Sequence, residues 1–247
     1  VLITGANGFV GQRVAQTLHQ AAYTLRLCTR KTWQLPNAEQ NPSKPSANID
    51  YFAVGDLSDK TDWSTALTVD GEAVEVVVHC AARVHVMNDT SADPLAAFRA
   101  LNRDASIALA QQAANAGVKH FIYLSSVKVN GEQTTGGKAF QESDTPAPSD
   151  PYGISKHEAE QALLAIGAKT GMAVTIIRPP LVYGDGVAAK ARPDVDAPPK
   201  CATGGRVVQG RRRETRDLIV ADDHRTIVRR VVPNPAHVVR AERCAGD

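Results

Sequence analysis

Tyr152 and Lys156 stand four residues apart in the run Tyr152-Gly153-Ile154-Ser155-Lys156. On a helix that spacing puts both side chains on one face, so a phenol and an ammonium reach the same pocket. A free tyrosine, with a pKa of about 10, is a poor base at neutral pH. A neighbouring lysine cation stabilises the phenolate and draws that value toward the working pH. The chemistry within reach is proton transfer at an oxygen. A hydroxyl that hydrogen-bonds the same oxygen would complete the group, and Ser125 and Ser126 follow the apolar run that precedes the pair.

A Tyr-x-x-x-Lys spacing recurs by chance, and its weight comes from what precedes it. Near the chain's start, Thr4-Gly5-Ala6-Asn7-Gly8-Phe9-Val10-Gly11 lies between a short β-branched run and a helical pattern. In a strand–turn–helix setting this is a dinucleotide-binding loop. Gly5 permits the tight turn, Gly8 lets backbone approach a pyrophosphate, and Gly11 allows close helix packing. The helix N-terminus supplies N–H groups and partial positive charge to the phosphates. Asn7, Phe9 and Val10 belong to the same loop.

The elements that must position these residues alternate along the chain. Apolar runs at 1–4, 23–28, 51–54, 74–79, 120–124 and 173–177 read as strands. Helical patterns follow Gly11, around 63–67, over 94–116 and over about 152–168, and Gly117 is placed as a C-cap. Strands alternating with helices at this spacing predict a Rossmann-type, doubly wound parallel α/β sheet. The domain division expected is a dinucleotide-binding catalytic domain over 1–187 and an incomplete or divergent substrate region over 188–247.

The end of the second strand selects between NAD and NADP. An acid roughly 20 residues past the loop would bind the ribose 2′-hydroxyl of NAD. No Asp or Glu occurs between Thr24 and Leu35; Thr29-Arg30-Lys31 stands there instead. Arg30 or Lys31 can pair with a 2′-phosphate. The other reading is that both are solvated loop charges. NAD or NADP is expected, with NADP slightly favoured.

The Gly-x-x-Gly-x-x-Gly spacing of TGANGFVG resembles the extended short-chain dehydrogenase/reductases, the branch with nucleotide-sugar epimerases and dehydratases. Gly55-Asp56-Leu57 resembles that family's adenine-contacting pair, which assigns Asp56 and Leu57 to the cofactor. His79-Cys80-Ala81-Ala82 resembles the strand end beside the cofactor ribose, assigning Ala81 and Ala82. Asn102 matches an asparagine on the family's long helix and is likewise assigned to the cofactor. Matching 125–131 to SSxxVYG makes Ser126 the catalytic serine beside Tyr152 and Lys156, with Ser125 a structural neighbour. Tyr152 and Lys156 count as cofactor residues too. Lys128 and Asn130 depart from the Thr and Tyr often found there, and Ser126 and Lys128 are expected to face substrate. Arg178-Pro179-Pro180-Leu181-Val182-Tyr183-Gly184 resembles the stretch leading into the substrate domain; Arg178 is read as either a substrate contact or a structural ion pair.

The resemblance implies a nucleotide-sugar 4-epimerase acting by transient hydride transfer through a 4-keto sugar. A 4-ketosugar reductase is the alternative. Dehydration is disfavoured because Val127 and Lys128 stand where dehydratases carry acids. A non-catalytic regulator would have lost Tyr152 or Lys156. Partners expected are a nucleotide sugar, neither nucleic acid nor membrane, with a homodimer left open.

Composition agrees with a globular enzyme: 43% hydrophobic and 22% charged residues over 247 positions, net charge +2. No run approaches the roughly 20 apolar residues of a membrane span. The sequence opens at Val1 without a basic leader, so no signal peptide is visible. Cys28, Cys80, Cys201 and Cys244 form no CxxC pair, and no HExxH occurs. Reduced thiols, a cytoplasmic setting and no metal are expected. Residues 1–187 hold 15 Lys and Arg against 18 Asp and Glu, whereas 188–247 hold 13 against 8 and no aromatic residue. That tail lacks helical or strand periodicity and is rich in Pro, Gly and Arg. Its basic charge carries no nucleic-acid motif. The expectation is a truncated chain, its tail partly translated in a shifted frame, folding poorly and leaving the sugar site open.

Overall fold

The computed structural model describes residues 1–36, 48–84, 91–133, 140–141, 144–180, 182 and 239–240. Strand β1 (Leu2–Thr4) leads through the glycine loop into α1 (Phe9–Gln20), and β2 (Leu25–Thr29) and β3 (Ile49–Ala53) follow. A short α2 (Ser64–Leu67) runs into a hairpin of β4 (Thr68–Val69) and β5 (Glu72–Ala73), then β6 (Val76–His79). Helix α3 (Pro94–Arg99) passes through a π turn at Ala100–Asp104 into α4 (Ala105–Ala116). After β7 (His120–Leu124) come one 3₁₀ turn (Val127–Val129), α5 (Pro151–Thr170), β8 (Ala173–Arg178) and β9 (Val239–Arg240).

The main sheet is parallel throughout, in the order β3-β2-β1-β6-β7-β8-β9. Apolar residues bury both of its faces by simple alternation. Leu2, Val77, Phe121, Tyr123 and Ile176 pack with Leu109, Ala110 and Ala113 of α4 and Ala159 and Leu163 of α5. Their neighbours Ile3, Val76, Val78, Ile122 and Ile177 pack on the other face with Val14, Ala15 and Leu18 of α1. Parallel strands covered on both faces read as near-continuous apolar runs, which is why they were legible. The fold is the doubly wound Rossmann type.

The order reverses between β1 and β6, the crevice where such sheets bind ligands at their carboxyl ends. One helix end bears out a sequence signal, and another adds a cap that the sequence reading did not name. Gly117 closes α4 at φ +96°. Asp150 caps α5 by accepting from the Gly153 N–H at 2.6 Å, with Pro151 in the first turn.

The hairpin, the π turn and the added strand β9 differ from the sequence reading. The hairpin of β4 and β5 turns on Asp70 and Gly71, both at positive φ, as a two-residue type I′ turn requires. The long helix over 94–116 is interrupted by the π turn. The substrate-region expectations for 188–247, with Leu181, Tyr183, Gly184, Glu142 and His85, lie outside the described residues, β9 apart. Among the described residues no helix is long and apolar enough to cross a membrane.

Candidate active site

The carboxyl ends of four neighbouring strands deliver the candidate residues to one place. Strand β1 delivers the glycine loop, β2 Arg30 and Lys31, β6 Ala81 and Ala82, and β7 Ser126. Gly5 sits at φ +63°, and a Cβ there would lie 2.7 Å from the Ala81 nitrogen. A Cβ on Gly11 would lie 2.2 Å from the Gly5 carbonyl oxygen. Both glycines are therefore demanded by backbone meeting backbone. Gly8 caps α1 with no side-chain hydrogen bond, and the first turn carries no acid. Asn7 and Gly8 are exposed, Phe9 and Val10 half-buried. Bare N–H groups beside an open loop fit a pyrophosphate.

Beneath the loop runs a buried polar chain. The Ser106 hydroxyl donates its one hydrogen to the Asn102 carbonyl at 2.8 Å. Its oxygen therefore accepts from His79 Nε2 at 2.9 Å, which leaves His79 Nδ1 to accept from the Thr4 hydroxyl at 2.6 Å. Thr4 Oγ1 in turn accepts from the Ala81 N–H at 3.3 Å. One neutral imidazole thus ties the first strand, the end of β6 and the π turn together.

Burial pulls the His79 imidazole down to about 3, with the Lys156 charge adding to it. The folded pKa lies below the unfolded value, so an unfolding chain takes up a proton. The stability tied to a neutral His79 is complete above about pH 6.5 and falls as pH drops toward 3, by up to about 1.4 kcal/mol per pH unit. Urea midpoints measured from pH 7.5 to 4.5 should fall steeply below pH 6.5 in the parent chain and less steeply in His79→Gln. Parallel curves for the two proteins would refute this.

Asn102 lies in the π turn, fully buried. Its Oδ1 accepts from the Arg83 N–H at 2.8 Å, while Nδ2 donates to the Arg83 carbonyl and the Ser155 hydroxyl, each at 3.1 Å. The amide bonds protein groups at both ends, so Asn102 ties the Ala81–Arg83 strand end to α5. A single wide turn inside an α-helix commonly marks a functional position.

Ser126, Tyr152 and Lys156 converge. Ser126 heads the 3₁₀ turn, accepting from the Lys128 N–H at 3.2 Å, and hydrogen-bonds the Tyr152 side chain. Lys156 is 1% exposed, donates to the Leu124 carbonyl at 2.8 Å, and has Nζ 4.4 Å from the Tyr123 ring centre and 6.0 Å from that of Tyr152. Phe98 meets Tyr152 edge-on at 6.0 Å between centroids.

Burial pushes the Tyr152 phenol up to about 12, against the Ser126 hydrogen bond and with the charge of Asp150. Burial likewise pulls Lys156 down to about 7, against Cys80 and Glu160. The lowering of the phenol expected from the sequence is thus not met by these side chains alone. Desolvation is the largest cause at both groups.

The structure does not bring Lys128 and Arg178 to the Tyr152 hydroxyl as free cations. Lys128 is paired with Asp150, the cap of α5, and with Glu132 at 3.3 Å. It ties the serine turn to the start of the tyrosine helix. Gly153 allows that approach: a Cβ there would lie 2.9 Å from the Lys128 carbonyl. Arg178 pairs with Glu160, Nε to Oε1 at 2.8 Å, and with Asn130 at 3.1 Å. Its place is that of the structural ion pair.

Arg30 and Asp56 face each other at 3.6 Å on the surface, and Lys31 is exposed beside them. Leu57 packs partly against the core. Sequence reasoning missed Glu160, Thr4, Ser106 and Gly153. Of these only Glu160 leaves a signal, standing eight residues after Tyr152 on the same helix face.

A family model described as the NAD dependent epimerase/dehydratase family matches residues 1–243. The chain belongs to that family. It is 42% identical over 189 residues to a UDP-glucose 4-epimerase of Vibrio cholerae, covering 76% of this chain and 53% of that protein. Among solved structures it resembles the UDP-glucose 4-epimerase of Thermotoga maritima in complex with UDP-glucose (TM-score 0.57, 26% identity, covering 74% and 56%). It also resembles MoeE5 in complex with UDP-glucose and NAD (TM-score 0.60, 25% identity, covering 78% and 56%). The chain spans about half the length of the curated relatives it matches first.

Proposed function

We propose that this chain carries the cofactor and proton-transfer half of an NAD(P)-dependent nucleotide-sugar 4-epimerase. The observation that carries the reading is the meeting of Ser126, Tyr152 and Lys156 beside a glycine loop at the switch point of a parallel sheet. The 42% identity to a UDP-glucose 4-epimerase supports the substrate class.

A bound nicotinamide would supply hydride acceptance and return at the sugar's C4. The chain's residues handle the proton. Tyr152 takes it from the C4 hydroxyl and gives it back to the same oxygen, so both reaction directions need one group. Ser126 hydrogen-bonds that oxygen and the phenol together, which holds them within proton-transfer distance. Lys156, fixed by the Leu124 carbonyl and the two tyrosine rings, supplies positive charge to the phenolate side of the equilibrium. Gly5, Gly8 and Gly11, with Asn7, Phe9 and Val10, would hold the pyrophosphate; Ala81 and Ala82 would pass the ribose, and Asp56 and Leu57 the adenine. Arg30 and Lys31 favour NADP, since no acid at the end of β2 would greet the ribose 2′-hydroxyl of NAD.

The test uses the full chain with UDP-glucose and a panel of other nucleotide sugars, in NAD⁺ and NADP⁺, in parent and Arg30→Ala proteins. Interconversion of C4 epimers without net cofactor reduction is expected. Stoichiometric change in cofactor redox state would point to a reductase, and cofactor binding without turnover of any sugar would sink the assignment. NADP(H) should bind more tightly than NAD(H), most clearly at low salt, and lose that advantage in Arg30→Ala.

A further inference from the structure

We propose that Glu160 and Arg178 are a positioning pair that fixes the loop from Ser125 to Asn130, and with it the place of Ser126 against Tyr152 and Lys156. The proposal rests on reading those three residues as the proton-transfer group.

Tyr152, Lys156 and Glu160 succeed one another at intervals of four along α5. Each step turns about 40° round the helix, so the three side chains form one slowly drifting stripe. The first two meet the reacting oxygen. The third turns back beneath the serine loop, where Glu160 is 2% exposed. Its carboxylate accepts from the Ser125 hydroxyl and from two nitrogens of Arg178, Nε at 2.8 Å among them. The remaining fork of Arg178 donates to Asn130 Oδ1 at 3.1 Å. One ion pair therefore grips the loop on both sides of Ser126.

Main-chain bonds close the same seam. The Ser125 N–H donates to the Ile177 carbonyl at 2.6 Å, and the Val127 N–H donates to the Pro179 carbonyl at 2.9 Å. Arg178 sits between those two acceptors. Ser126 is the residue left to face Tyr152, with its neighbours held by side chain and backbone alike.

The energetics favour a geometric role. A buried ion pair adds little over apolar residues of the same shape, whereas removing one partner strands a charge. The pair's value lies in direction: a planar fork against a carboxylate admits few arrangements. With its side chain 11% exposed and its fork committed, Arg178 has no face to offer a substrate.

Amide hydrogen exchange of the full chain tests this without requiring turnover. In Glu160→Gln and Arg178→Lys, amides of residues 125–130 should exchange about tenfold faster or more, with β1 and β2 unchanged and NAD⁺ affinity retained. Where the parent turns over a nucleotide sugar, kcat should fall about 10- to 100-fold with KM nearly constant, the signature of a misplaced catalytic group. Arg178→Lys keeps the charge and loses the fork, so it carries the test if Glu160→Gln does not fold. Unchanged exchange at 125–130 overturns the proposal. So does a loss of protection spread through the whole sheet, which would mark a merely structural pair. A parent chain without epimerase activity would defeat the functional reading alone, because the exchange result stands apart from it.

Discussion

Tyr152→Phe should bind dinucleotide as the parent does and lose at least about a hundredfold in turnover, the usual worth of a positioned acid–base group. The ring would keep its edge contact with Phe98 and its place beside the Lys156 ammonium. Only the oxygen is removed. On the proposed mechanism its loss takes away the proton's path to and from the sugar, and the Ser126 hydroxyl loses its tyrosine partner. Because burial holds the phenol up near 12 and draws Lys156 down to about 7, the parent's rate should climb with pH only while Lys156 keeps its proton, and that pH dependence should vanish in the variant. Initial rates across pH 6–10, with cofactor affinity by fluorescence titration, check both halves. Near-parental turnover in the variant would strip Tyr152 of its role.

Gly11→Ala should be the most damaging single methyl in the described fold. Its Cβ would stand 2.2 Å from the Gly5 oxygen and 2.9 Å from the Gly5 carbonyl carbon. Neither can yield, since Gly5 is itself pressed against the backbone of Ala81. Helix α1 must then move off the loop, and overpacking of this kind costs about 1–3 kcal/mol or more. The thermal midpoint should fall by several degrees and dinucleotide affinity by about tenfold or more, because the N–H groups at the start of α1 shift with the helix. Gly171→Ala is the control: at φ +78° it strains the C-cap of α5, but no atom lies within 4 Å to be displaced. It should cost stability and leave affinity alone. Parental affinity in Gly11→Ala would show that the loop tolerates what its geometry forbids.

Much of this architecture was written in local patterns, for an identifiable reason. Val76–His79 and His120–Leu124 are buried on both faces, so their apolar runs are unbroken and their ends plain. Ile49–Ala53 is harder to read because it is the outermost strand beyond β2, with Asp50 and Tyr51 exposed. The Asp70-Gly71 turn is present as a dipeptide, yet two-residue strands leave no alternation around it. Spacing and order singled out Tyr152 and Lys156, whereas choosing Ser126 over Ser125 needed the resemblance to SSxxVYG. Assigning Lys128, Asn102 and Arg178 needed their partners, which, Glu132 apart, lie between 18 and 53 residues away in the chain. Periodicity says where a side chain points, and gives no hint of which distant carboxylate or amide will claim it.

The wide turn at Ala100–Asp104 sets two demands on one stretch of backbone. A π turn takes up one residue more than an α turn without lengthening the helix by a full step. Deleting any one residue there would let α3 and α4 run together as regular helix, with better hydrogen bonds and no interruption. Because the wide turn absorbs the extra residue, α3 would keep its orientation relative to α4, and Phe98 its place by the Tyr152 ring. Asn102, inside the turn, would no longer reach Arg83 and Ser155 together. The more comfortable helix would lose the side chain that ties the end of β6 to α5.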